Sequence, residues 1–317
     1  MFGRIGDMAK ARENLERSVE LAREADPAGT VDALLALGRH LEISDADHSA
    51  ARAAYEEALS LAEKVGDLPA QVELHAQLAQ LAAWRADWDA ALASTDASEA
   101  LARREGLVGK LCFPLALRGL LAWRQGMWLE AEHACREAHE LAEQAGWSEV
   151  SFSALFTLAM ALRDGGDLQA AASALDRALD LCERAGFVPQ SIQAMAERAL
   201  VLSMAGDHTR AGEAAEEAGN LAERLRYPAG RAAALEARGL TAQTADESIA
   251  LLAEAASLWS ELGRPLERAR CILLTAHALR EHGADDWRGR CEEAADELER
   301  LGLEHLAGKA RADIAAA

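Results

Sequence analysis

The chain has 317 residues, is half hydrophobic, carries only 4% aromatics, and has a formal net charge of −20. That acidity argues against direct nucleic-acid binding, because phosphate contacts need clustered Lys and Arg and no basic run occurs. Five scattered cysteines without a C-x-x-C pair, and an opening Met1–Arg12 without an apolar segment, point to a reducing, cytoplasmic setting; no apolar run is long enough to span a bilayer. The acidity itself has two readings: solvated helix faces, or a surface for a basic partner.

A turn signature punctuates the chain. It reads GDMAKA from Gly6, ADHSAA from Ala46, ADWDAA from Ala86, GMWLEA from Gly126, GDLQAA from Gly166 and GDHTRA from Gly206, at a period of 40 residues. Two further copies, ADESIA from Ala245 and ADDWRG from Ala284, follow at steps of 39. A period of this size means stacked helical units, none able to bury its own core alone. Helix ends fall at Gly66, Gly106, Gly146, Gly186, Gly263 and Gly302, where glycine supplies a left-handed cap, with Asp26 and Arg226 at the equivalent places in two other units. Pro27, Pro69, Pro189, Pro228 and Pro265 then open the next helix, since the missing N–H costs nothing in a first turn.

The elements follow in chain order. A lone second-type helix (B) over about 7–25 comes first, then seven pairs of helix A and helix B, then a last helix from about Glu304, which makes sixteen helices. In one pair, helix A runs from about Pro69 to Arg85 and helix B from about Trp88 to Glu105. The unit ending at Gly263 is three residues short, with the loss between Gly239 and Ser248. The expected architecture is one all-α, elongated α-solenoid: a half repeat over 1–26, seven full repeats over 27–302, and a capping helix over 303–317. Because Gly6 and Asp7 read as an A–B turn with no helix A before them, the N-terminal edge is expected to be cut from a longer protein or covered by a second copy in a homodimer.

Small residues recur inside helix B. Ala51-x3-Tyr55-x2-Ala58 becomes Ala131-x3-Cys135-x2-Ala138, Ala171-x3-Leu175-x2-Ala178 and Ala211-x3-Ala215-x2-Ala218. In helix A, Gly38, Ala79, Gly119 and Ala159 stand about twelve positions earlier. This pattern resembles the tetratricopeptide repeat across essentially the whole chain, with units longer than the family's usual length of about 34 residues; HEAT and armadillo units match the length but not the punctuation. The segments at 51–67 and 257–281 are similar to the repeat region of large MalT-like, LuxR-family ATP-dependent regulators, in which the array is a sensor or partner arm. No G-x-x-x-x-G-K-[ST] loop is present, so the resemblance carries over only the arm.

The resemblance implies a right-handed superhelix whose A helices line a concave groove. The matching positions include Asp32, Leu35, Arg39, Glu42, Glu73, Gln80 and Trp84 in the earlier units. Phe113, Leu120, Trp123, Arg124, Phe156, Met160, Arg163, Gln193, Leu200 and Met204 follow in the middle of the array. The middle units are apolar and aromatic, which suggests a groove for a peptide or another ligand; the alternative is that the longer helices turn these residues into the core. Arg39, Arg124 and Arg163 suit carboxylate pairing, or are ordinary surface arginines. Pro114 either kinks its A helix or marks a late start. Trp84, Trp88, Trp123 and Trp128 bracket two turns, as turn packing or as a binding patch.

Cys135 with His139, and His133 with Glu137, supply only two helical ligands each, short of a metal site. No hydrolase, metalloprotease or dinucleotide motif occurs, and the carboxylate pairs Glu56–Glu57 and Glu216–Glu217 are expected to face solvent rather than form a buried acid–base pair. No cofactor and no catalytic residue is expected. The leading expectation is a non-catalytic scaffold of bacterial regulation that binds a protein or peptide. A small-molecule effector arm is second, and an enzyme or accessory protein of specialised metabolism is third. An open channel would favour the first; a deep pocket with convergent polar groups would favour the others.

Overall fold

The structure, a computed structural model, describes residues 8–43, 47–281, 283 and 286–315. The turn residues Gly6, Asp7, Ala46 and Ala284, and with them the N-terminal edge, lie outside the described residues. Sixteen α-helices and no strand are found among those described. They are α1 (Met8–Ala25), α2 (Pro27–Ile43), α3 (His48–Val65), α4 (Leu68–Trp84), α5 (Trp88–Arg104), α6 (Cys112–Arg124), α7 (Trp128–Ala145) and α8 (Ser148–Gly165). The series continues with α9 (Leu168–Ala185), α10 (Val188–Met204), α11 (His208–Leu225), α12 (Pro228–Thr241), α13 (Ala245–Glu261), α14 (Pro265–Glu281), α15 (Trp287–Arg300) and α16 (Glu304–Ala315).

Local chemistry sets the boundaries. Asp47, Asp67, Asp87, Asp167 and Asp207 each cap a B or A helix by accepting a hydrogen bond from the backbone N–H three residues on. Gly66 and Gly146 close their helices at φ 75° and 76°, a conformation that costs glycine nothing. Arg226 adopts the same left-handed cap at φ 50° without being glycine. The shortened unit has lost its glycine turn: Ala242 is extended, and the Thr244 hydroxyl caps α13.

Each pair is zipped by small residues. Ala51, Tyr55 and Ala58 of α3 are fully buried, as are Ala131, Cys135 and Ala138 of α7 and Ala171, Leu175 and Ala178 of α9. The A-helix glycines let the larger middle residue in: a Cβ on Gly38 would lie 2.3 Å from the Tyr55 ring, and one on Gly119 would lie 2.3 Å from Cys135 Sγ. Pro114 sits in the first turn of α6, after a short 3-10 turn at 108–110, so it marks a late helix start rather than a kink.

The expected elongated array is corrected in one respect. The array curls until its C-terminal helices lie against the turns of its middle units. A shared core joins Trp88, Leu121 and Trp123 to Ala295, Leu298, Leu303 and Ala307. Trp88 Nε1 donates to the Leu301 carbonyl at 2.6 Å, and His305 packs edge-on against Trp128 with ring centroids 5.0 Å apart. At the same turn the Arg264 guanidinium stacks on Trp84 at 3.8 Å. Trp88, Trp123 and Trp128 thus pack against the returning end of the chain, and Trp84 against Arg264.

Candidate functional site

The curled array encloses a cavity of about 620 Å3, lined mainly by α2, α4, α6, α8, α10, α12, α14 and α16. Thirteen of the seventeen positions expected in the groove meet there; Asp32, Leu35, Glu73 and Arg124 do not. Trp84, Phe113, Leu120, Trp123, Phe156, Met160, Leu200 and Met204 supply apolar wall, and Arg39 and Arg163 supply charge. Arg124 does not line it; its guanidinium packs over Trp88 and against Gly302, in the contact with the C-terminal helices. Phe113 meets Trp147 edge-on at 5.3 Å, and Phe156 stacks on Phe152 at 5.8 Å.

The charged part of the wall is a connected, buried network. Trp123 Nε1 donates to Asp164 Oδ2 at 2.8 Å, and Arg163 Nε donates to Asp164 Oδ1 at 2.8 Å. Arg163 also pairs with Glu197, whose other oxygen lies 3.5 Å from Arg270 Nη1. Arg270 Nη2 donates to Glu236 Oε2 at 3.1 Å, and Trp259 Nε1 donates to the same oxygen at 3.3 Å. Five helices and the end of a sixth are tied together from indole to indole. Burial works against charge on Asp164, but Arg163 and the hydrogen bonds outweigh it and hold the carboxyl below its usual range. Burial likewise opposes the charge on Arg163, and Glu197 and Asp164 reverse that, leaving its guanidinium more basic than usual.

A second charged corner lies toward the N-terminal units. Arg39 pairs with Glu73 and, at 2.9 Å, with Glu149. Glu42 is buried and accepts a 2.6 Å hydrogen bond from the Tyr55 hydroxyl. Desolvation raises its pKa to about 7 against the opposing pull of the Tyr55 hydrogen bond, Arg264 and Arg39. His48, which like Glu42 feels the charge of Arg264, packs against Trp84 with ring centroids 5.4 Å apart, and burial together with Arg264 and Arg85 lowers its pKa to about 4.

Glu42 and Glu73 were read from the sequence only as groove positions, and Glu197 and Glu236 were not singled out. The pairs Glu56–Glu57 and Glu216–Glu217 face solvent as expected, whereas four single carboxylates that no sequence pattern marked as buried, Glu42, Glu73, Glu197 and Glu236, are only 3–4% exposed. Each stands in an A helix among small or apolar neighbours, a local sign of burial, but the arginine partners of Glu73, Glu197 and Glu236 lie 34 to 73 residues away, and Glu42 is held by Tyr55. Among the described residues no group of three metal-ligating side chains forms. Cys135 is buried, with its thiol pushed up to about 12 by desolvation, and His139 bonds Ser151 and Arg177 instead of a metal. Among the described residues no helix is long and apolar enough to cross a membrane.

Stacked helix pairs joined by Asp-capped turns and zipped by small residues define an α-solenoid repeat protein. Residues 152–184 match the tetratricopeptide repeat model, and the array as a whole has a tetratricopeptide-like solenoid fold. No curated protein matches the sequence. Solved structures match the fold. A Rap protein complexed with competence and sporulation factor aligns with a TM-score of 0.71 at 14% identity, over 96% of this chain and 87% of that one. The Rap conjugation gene regulator of plasmid pLS20, in complex with a Phr peptide, gives 0.67 at 15% identity over 88% and 76%. Aspartyl phosphate phosphatase F from Bacillus subtilis gives 0.62 at 11% identity over 90% and 73%. At these identities the likeness is one of fold.

Proposed function

We propose that this chain is a non-catalytic, ligand-sensing regulatory module that takes a short peptide into the enclosed hollow of its array. The cavity carries the reading: an apolar and aromatic wall with a few fixed charges, in the size range of about 300–1,000 Å3 typical of small-ligand sites. The return of the C-terminal helices onto the middle units narrows the hollow, which favours a short ligand over a folded partner or a long helix. Two of the fold neighbours are described in complex with a peptide or factor, which supports a peptide as the first class of ligand. The enclosure equally suits a small-molecule effector of similar size, and that is the second reading.

Catalysis is not part of the proposal, although one fold neighbour is a phosphatase. The carboxylates of the central network are each held by an arginine, and buried thiols such as Cys112 and Cys182 are pushed up to about 11 and 12, which leaves them protonated. We read residues 1–317 as one solenoid, with a half repeat over 1–26, seven full repeats over 27–302 and a capping helix over 303–317, in a reducing cytoplasm.

The test is affinity selection from a synthetic pentapeptide library, read by mass spectrometry. A control variant, Met160→Trp, fills the cavity. Wild type should retain a defined sequence set that the filled variant loses. Retention of the same set by both would reject the cavity as the binding site.

A further inference from the structure

Among the described residues, every guanidinium that lines the cavity has a carboxylate within hydrogen-bonding distance except one. Arg39 has Glu73 and Glu149, Arg163 has Asp164 and Glu197, and Arg270 has Glu197 and Glu236. Arg264, immediately before α14, is only 5% exposed. Its nearest carboxylate among the described residues, Glu267, stays 3.6 Å from Nη1, beyond hydrogen-bond reach. Nη1 is buried with no hydrogen-bond partner. A buried charge left in this state is unfavourable unless something else completes it.

The stacking on Trp84 does not complete it. The indole covers one face of the guanidinium at 3.8 Å, with Trp259 further off at 5.9 Å. A cation–π contact uses that face and leaves the N–H groups in the guanidinium plane, where a carboxylate binds bidentately. Glu42 also lies within electrostatic reach, and its Oε2 accepts the Tyr55 hydroxyl hydrogen bond. Because burial holds Glu42 partly protonated near neutral pH, it compensates Arg264 incompletely. Arg39 adds a second positive charge on the same side, offset by Glu149.

We propose that Arg264, seated on Trp84, is the anchor for a carboxylate carried on an apolar ligand in this cavity. The inference rests on the ligand-sensing reading above and adds the chemistry of one end of the ligand. The shared feature is a carboxylate next to an apolar body, which a peptide C-terminus or a small organic acid would each provide.

Two pairs of probes separate these sources: acetyl-Leu-Leu-Phe as free acid and as C-terminal amide, and 4-phenylbutanoate and its amide. Binding is followed by the indole N–H resonance of Trp84, assigned with Trp84→Phe. At least one acid should bind wild type tenfold or more tightly than its amide and shift Trp84. The peptide pair alone would identify a C-terminus, and the small-acid pair alone an organic acid. Arg264→Met should erase the preference, and Arg264→Lys should keep part of it. Equal binding of acid and amide overturns the anchor while leaving the cavity as a binding site. Absence of binding by all four probes also overturns it, and the pentapeptide selection then decides the fate of the broader reading. The acid–amide comparison is made on wild type, so it does not depend on a variant folding.

Discussion

Glu42 and His48 impose opposite pH dependences on the same corner of the array. Glu42 has its pKa raised from 4.5 to about 7 in the folded chain. Its contribution to stability is complete below pH 4.5 and is lost as pH rises through about 7, because the unfolded chain releases the proton first. His48 has its pKa lowered from 6.5 to about 4, so its contribution is complete above pH 6.5 and is lost as pH falls through about 4. At about 1.4 kcal/mol per pH unit, each window is worth about 3 kcal/mol. In wild type the two slopes nearly cancel between pH 4.5 and 6.5. Glu42→Gln keeps an acceptor for the Tyr55 hydroxyl and removes only the falling slope. It should match wild type at pH 4.5 and exceed it by about 3 kcal/mol above pH 7. His48→Gln should match wild type above pH 6.5 and exceed it by a similar amount near pH 4, and the double variant should again be nearly flat. Long repeat arrays need not unfold in one step, so the assay is hydrogen exchange of α2 and α3 at four pH values, alongside urea unfolding. His75, His139 and His305, whose pKa values burial also lowers, are common to all variants and drop out of the differences. A Glu42→Gln profile parallel to wild type at every pH would refute the reasoning.

Two more outcomes follow from packing. Gly119→Ala places a methyl 2.3 Å from Cys135 Sγ and should cost about 1–3 kcal/mol, whereas Gly212→Ala, with nothing within 4 Å, should gain about 0.5–1 kcal/mol. Calorimetry should therefore move the two melting temperatures in opposite directions, and an unchanged Gly119→Ala would contradict the close approach. Trp88→Phe removes the hydrogen bond to the Leu301 carbonyl and should cost about 0.5–1.5 kcal/mol. Faster hydrogen exchange in α16, with α10 and α11 unchanged, would locate that loss at the closure, and uniform exchange would argue against it.

Much of the fold is legible in the chain because its determinants are local. An Asp that caps the N–H three residues on, a glycine at positive φ and an Ala-x3-large-x2-Ala stripe act within one or two helices, so they repeat wherever the unit repeats. The A-helix positions that face the hollow are legible for the same reason, since they keep one register from unit to unit. Arg124 shows the limit: it follows Trp123 directly, yet the turn rotates it out of the cavity and onto Trp88.

The sequence by itself determined the units, their boundaries and the small residues that bring each pair together, through interactions spanning a few turns of helix. Only the tertiary structure decided that the array closes, that Trp88 meets Leu301 across 213 residues, and that Arg163, Glu197, Arg270 and Glu236 share one buried network. The physical reason is accumulation: each unit adds a small rotation to the one before. Which side chains finally meet depends on the sum of those rotations, and no local pattern records that sum.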